Sequence, residues 1–155
     1  AAFLDLLVAQ QHFPDALRFL AAWLPKPTAV AWGCSCLQSA FGETCPPGEK
    51  AAIEAAQQWA DDPTEDQRRA TWDAAETAGF DTGAGVLALG AFSSGGSLAP
   101  PGVDPVPPAE GITAQMTAAA LTIAASQGPL GQTTDRYRGF LEQGKKLALS
   151  QAPGT

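Results

Sequence analysis

Charge is scarce in this chain. Asp, Glu, Lys and Arg together make up 16% of its 155 residues, where an average soluble domain carries about 25%. A small protein with so little charge either buries most of its surface or keeps a lightly charged face for a partner. The charge that is present leans acidic, with 16 Asp and Glu against 9 Lys and Arg and a net charge of −7. Such a field repels phosphate backbones and anionic membrane surfaces, and the few cations do not gather into a stripe, so nucleic acid is not an expected partner. Histidine occurs once, at His12. Three cysteines are too few, and odd in number, for the disulfide framework of a secreted domain, so a reducing, cytoplasmic setting is expected. No apolar run approaches the roughly 20 residues of a membrane span. The opening AAFLDLLVAQ is short, carries Asp5 and has no basic leader, so it does not read as a signal peptide. It also lacks a methionine, which leaves open a trimmed segment or a removed leader. Alternating β-branched stretches are few as well, which argues against a sheet.

What remains is a set of short, alanine-rich helices with clear punctuation. Residues 59–79, WADDPTEDQRRATWDAAETAG, show it best: helix, break, capped helix. Pro63 stops the first helix. Thr64 and Gln67 have the spacing of a capping box, in which the threonine oxygen takes the Gln67 amide and the glutamine reaches back. Gly79 suits the left-handed turn that ends the second helix. Similar reasoning places helices near Leu4–Val8 and over 14–24, 27–41, 49–61, 65–78, 83–93, 112–127 and 135–149. Segment 27–41 carries no charge and is apolar nearly all round, so it is expected at the centre. The glycines of 83–93 point to close approach by a neighbour, with Asp81 or Thr82 as cap. The expected fold is therefore all-α: one domain over 1–155, a bundle of about seven short helices, with paired helices that hint at stacked hairpins.

Two regional features bear on function. From Thr82 to Thr134 the only charged residues are Asp104 and Glu110, so that half is buried or presents a neutral face. Within it lies one long irregular segment, the Pro/Gly-rich loop 94–111 (SGGSLAPPGVDPVPPAEG). Its prolines cannot propagate a helix or donate to a sheet. A pre-extended segment loses little entropy on docking, and a loop this long is commonly functional. The alternative is a strap across the helices, with Leu98, Val103 and Val106 tucked into grooves. If the loop docks a partner, Phe92, Leu98, Pro100, Pro101, Val103 and Val106 are the candidate contact positions.

Other constellations have plainer explanations. Cys34 and Cys36 lie two apart on a helix and point in different directions; with Cys45 they lack zinc-site spacing, and core packing is the expected role. Gly83, Gly85 and Ala88 match a dinucleotide fingerprint on paper, but a helix rather than a strand precedes them, and Asp104 sits in the proline loop. Ser93, Ser94 and Ser97 would need a base, and His12 is far away in sequence. The carboxylates at 61, 62, 65, 66, 73 and 76, with Arg68 and Arg69 among them, read as a solvated face. Trp23, Trp32, Trp59 and Trp72 fit apolar helical stripes and are expected in the core. No catalytic, metal or cofactor site is expected.

Three segments, LPKPTAVAWGCSC at 24–36, the 59–79 hairpin and AFSSGGSLAPPGVDPVPP at 91–108, resemble a bacterial family of unknown function. The resemblance spans most of positions 24–149, and SGGSLAPP is its most specific run. The family it points to is often encoded near type VI secretion genes. The resemblance implies a bacterial, cytoplasmic accessory role and supplies no catalytic residues.

Together these readings lead to a non-enzymatic helical interaction module, an adaptor, chaperone or structural accessory that binds another protein. Two alternatives stand beside it. One is an enzyme or toxin-like effector with a pocket and a perturbed acid near His12, Tyr137 or the serine loop. The other is a scaffold component whose neutral surface is covered by copies of itself.

Overall fold

The computed structural model describes residues 2–151, and all regular structure among them is helical. Eight α-helices follow in chain order: α1 (Ala2–Ala9), α2 (Phe13–Trp23), α3 (Lys26–Phe41), α4 (Pro47–Asp61), α5 (Glu65–Ala78), α6 (Gly83–Phe92), α7 (Ile112–Ser126) and α8 (Thr133–Gln151). The all-α class is as expected, with eight helices where about seven were. Short α1 holds its place because Leu4 is buried and Asp5 takes a 2.6 Å bond from Lys145 on α8.

The punctuation works largely as the residues dictate. Prolines occupy the first turns of α2, α3 and α4, where the missing amide costs nothing. Thr64 caps α5, its hydroxyl accepting from the Gln67 amide at 3.2 Å. The other half of the capping box is different: the Thr64 amide donates to the Asp62 carbonyl at 2.7 Å. Gly79 ends α5 at φ 94°, and Thr82, not Asp81, caps α6 by accepting from the Gly85 amide at 3.0 Å.

The core is one contiguous apolar cluster that draws on every α-helix. Helix α3 runs through its middle, packed against α4, α6, α7 and α8. Trp32 donates its indole N–H to the Phe140 carbonyl at 2.9 Å, and its ring packs closely against Gly144 of α8. Helix α6 is as deeply set. Of its ten residues only Val86 and Leu89 escape full burial. Gly85 leaves room for the Gly79 carbonyl oxygen, which a Cβ would strike. The glycine pattern thus serves helix packing. Thr113 of α7 donates to the Gly90 carbonyl of α6 at 2.9 Å, and these two helices pack along their lengths. The charge-poor half is therefore neutral in α6 because that helix is interior, while α7 buries one face and leaves an uncharged outer face with Gln115 and Ala119 exposed.

Sequence neighbours α4–α5, α5–α6 and α6–α7 pair in space. This brings the C-terminus of α6, where the proline loop leaves, beside the face of α5 that carries Glu65, Arg68, Arg69 and Trp72.

Candidate functional site

The α6–α7 loop is held by side chains reaching from α5. Arg68 is the pivot. It is 3% exposed, although it belongs to a stretch expected to be a solvated face. Its Nε and Nη2 donate to the two Glu65 carboxylate oxygens, both at 2.7 Å. Its Nη1 donates to the Phe92 carbonyl at 2.6 Å, and Nη2 also reaches the Ser97 carbonyl at 3.1 Å. The correction has a physical cause. Carbonyls at a helix C-terminus and in an irregular loop lack internal partners, and a planar guanidinium can serve several of them while pairing with one carboxylate. Gly96 is in the left-handed region at φ 61°, and a Cβ there would lie 2.9 Å from Arg68 Nη2.

Two further cations complete the clasp. Arg69 donates from Nε to Glu65 at 3.0 Å and from Nη1 to the Ala99 carbonyl at 2.8 Å. Lys26, from the start of α3, donates to the Ser94 carbonyl at 2.7 Å. The loop also closes on itself. Ser97 Oγ accepts from the Ala99 and Val106 amides at 3.1 and 2.8 Å, and the Leu98 amide donates to the Val106 carbonyl at 2.8 Å. The serine placed in a hypothetical nucleophile run is thus a loop fastener. The Arg68 and Arg69 bonds hold the Glu65 carboxyl at about 2, well below its usual 4.5.

Phe92, the last residue of α6, lies beneath this clasp. The Arg68 and Arg69 guanidinium carbons stand 4.8 and 5.7 Å from its ring centroid. Trp72 meets the same ring at 5.2 Å, and Phe80 meets Trp72 at 5.5 Å. Trp72 was expected in the core but is 39% exposed, its outer face free. Arg69, Trp72, Asp73, Phe92, Leu98, Pro100 and Pro101 enclose a half-open groove of about 460 Å³.

Four of the six candidate contact residues, Phe92, Leu98, Pro100 and Pro101, therefore meet in one groove. Phe92 is corrected from a surface contact to the floor: at 3% exposure it is covered by α5 and the loop. Leu98, Val103 and Val106 are all exposed, so the loop is no strap anchored by tucked aliphatics. Polar bonds to its backbone hold it instead. Val103 and Val106 do not line the groove. Sequence reasoning missed Glu65, Arg68, Arg69 and Trp72. Their spacing of i, i+3, i+4 and i+7 puts them on one helical face, and that face was the available signal.

The cysteines behave as packing residues. Cys34 and Cys36 are buried, and burial pushes both thiols up, Cys34 to about 12. Their Sγ atoms point at the Ile53 carbonyl at 3.6 Å and at Gln143 Oε1 at 3.8 Å. Cys45 is half-buried beside Pro46. No group of three or more His, Cys, Asp or Glu among the described residues is arranged to hold a metal. His12 is exposed at the start of α2, and Tyr137 is buried, stacked on Phe13 at 5.1 Å. Trp32 and Trp59 are in the core as expected, whereas Trp23 is 64% exposed at the end of an aromatic row with Phe19 and Phe3. Among the described residues no helix is long and apolar enough to cross a membrane.

The chain belongs to a family of unknown function (DUF6931), whose match covers residues 3–148. No curated protein and no solved structure matches it.

Proposed function

We propose that this family member is a non-enzymatic protein-interaction module, acting as an adaptor, chaperone or structural accessory. It docks a segment of its partner in the groove between α5 and the proline loop. The observation that carries this reading is a partly exposed tryptophan facing a loop whose backbone is fixed in advance. Trp72, Leu98, Pro100 and Pro101 offer apolar walls over the Phe92 floor. Exposed aromatic side chains set in preformed clefts are the usual anchors of protein interfaces. The clasp from Arg68, Arg69 and Lys26 means that little loop entropy is lost on binding. Val103 and Val106, exposed further along the loop, are placed to extend the contact beyond the groove. A bacterial, cytoplasmic setting, and an association with type VI secretion, rest on the sequence resemblance alone.

The test is partner capture from the native host with the full chain and with Trp72→Ala. A truncated anchor costs about 2 kcal/mol or more, so recovery should fall at least tenfold while the helical circular dichroism signal is unchanged. Equal recovery would remove the groove from the reading.

A second reading, self-assembly, draws on a separate apolar surface. Phe3, Leu6, Trp23 and Leu149 are all exposed, and Phe19, Trp23 and Leu149 line a groove of about 190 Å³. Mass measured in solution across a hundredfold dilution separates the two. A monomer throughout counts against self-assembly.

A further inference from the structure

We infer that the occupant of the Trp72 groove is a protein segment in which a bulky apolar side chain is flanked by lysine or arginine. The inference rests on the docking role proposed above and adds the chemistry of the partner. It comes from how charge is spent around the groove.

Arginines at a groove rim would ordinarily invite a carboxylate. Here most of their donors are spent internally. Arg68 is buried and bonded to Glu65 and to the Phe92 and Ser97 carbonyls. Arg69 is divided between Glu65 and the Ala99 carbonyl. An incoming anion would have to break the bonds that shape the groove. The carboxylates are in the opposite condition. Asp73 lines the groove directly. On the same helix Asp66 and Glu76 are exposed, as is Asp104 in the loop. Among the described residues the ion pairs involve none of these four acids. Helix α5 carries Glu65, Asp66, Asp73 and Glu76 against Arg68 and Arg69 only, within a chain of net charge −7.

The volume fits this division. About 460 Å³ of half-open space accepts one or two large side chains rather than a folded element. The walls are indole, leucine and proline, which reward apolar contact. Attraction for a cation comes from Asp73 at the groove and from the other exposed acids of α5, where complementarity sets the encounter rate and partner choice more than raw affinity.

The experiment is display selection of random 12-residue peptides on the immobilised full chain, run in parallel on Trp72→Ala and on the double variant Asp73→Asn, Glu76→Gln. Peptides captured by the wild type but not by Trp72→Ala should share an aromatic or large aliphatic residue with Lys or Arg within three positions. Synthetic copies should bind the charge-neutralised variant about two- to fivefold more weakly, as befits exposed ion pairs, and should weaken in high salt. Trp72-dependent peptides without a cationic excess, or with acidic flanks, would overturn the charge inference and leave the docking site intact. A selection with no Trp72-dependent peptide at all would overturn both.

Discussion

Arg68 concentrates more of the structure than any other single side chain. A guanidinium out of water is costly unless its donors are met, and here Glu65, the Phe92 carbonyl and the Ser97 carbonyl meet them. Replacing it with methionine, of similar length, leaves those two carbonyls without their donor. The expected loss is about 2–4 kcal/mol in urea unfolding. Arg69→Lys should cost under about 1 kcal/mol, because its pair with Glu65 is more exposed. Glu65 gives the clasp a pH signature. Its carboxyl is depressed to about 2 in the folded chain, chiefly by Arg68. A depressed acid stabilises the fold fully above its ordinary value near 4.5 and loses that contribution as pH falls toward 2. The urea midpoint of the wild type should therefore drop more between pH 6 and pH 3 than that of Glu65→Gln. Equal drops would mean that the carboxylate is not coupled to folding.

The elements were legible to the extent that local chemistry sets their ends. Thr64 and Gly79 mark α5, and prolines mark α2, α3 and α4, because caps and ring constraints act within a turn. The mutual placement of elements was less legible. Nothing in the spacing of Trp72 distinguishes an indole in the core from one on a groove wall; that depends on where α6 ends and the loop passes. Trp23 became exposed for a similar reason, since the stripe on α2 continues past the part that α7 and α8 cover. The loop was misjudged in its fastening: its aliphatics drew attention, whereas its carbonyls carry the contacts. Close helix approach, by contrast, could be read from glycines. Those were the glycines of 83–93; Gly144, which the sequence reading did not single out, is another case, since a Cβ there would stand 2.7 Å from the Trp32 ring, which is itself tethered to Phe140. Gly144→Ala should destabilise by about 1–3 kcal/mol despite alanine's better helix propensity, measured as a lower midpoint of thermal unfolding. An unchanged or raised midpoint would show that α8 can shift away.

At the scale of the whole molecule, the scarcity of charge has two sources. The uncharged helix α6 is interior and α7 buries one face, which spends much of the neutral sequence on packing. The loop is the exception, since residues 100–107 are all exposed and carry a single charge, Asp104. A long exposed segment whose entry at residues 92–99 is clasped by three cations from two helices, and whose neck is closed by the Leu98–Val106 bond, is costly to specify, and that cost is the reason to read it as the working part of the molecule. The most direct measurement is amide hydrogen exchange on the full chain, followed at Leu98 and Val106. Both amides are bonded within the loop, to the Val106 carbonyl and to Ser97 Oγ. A clasped loop predicts exchange slowed by about a hundredfold or more relative to an unstructured chain, with that protection lost in Arg68→Met. Exchange at the unstructured rate in the wild type would contradict the account, because the groove would then have no fixed wall.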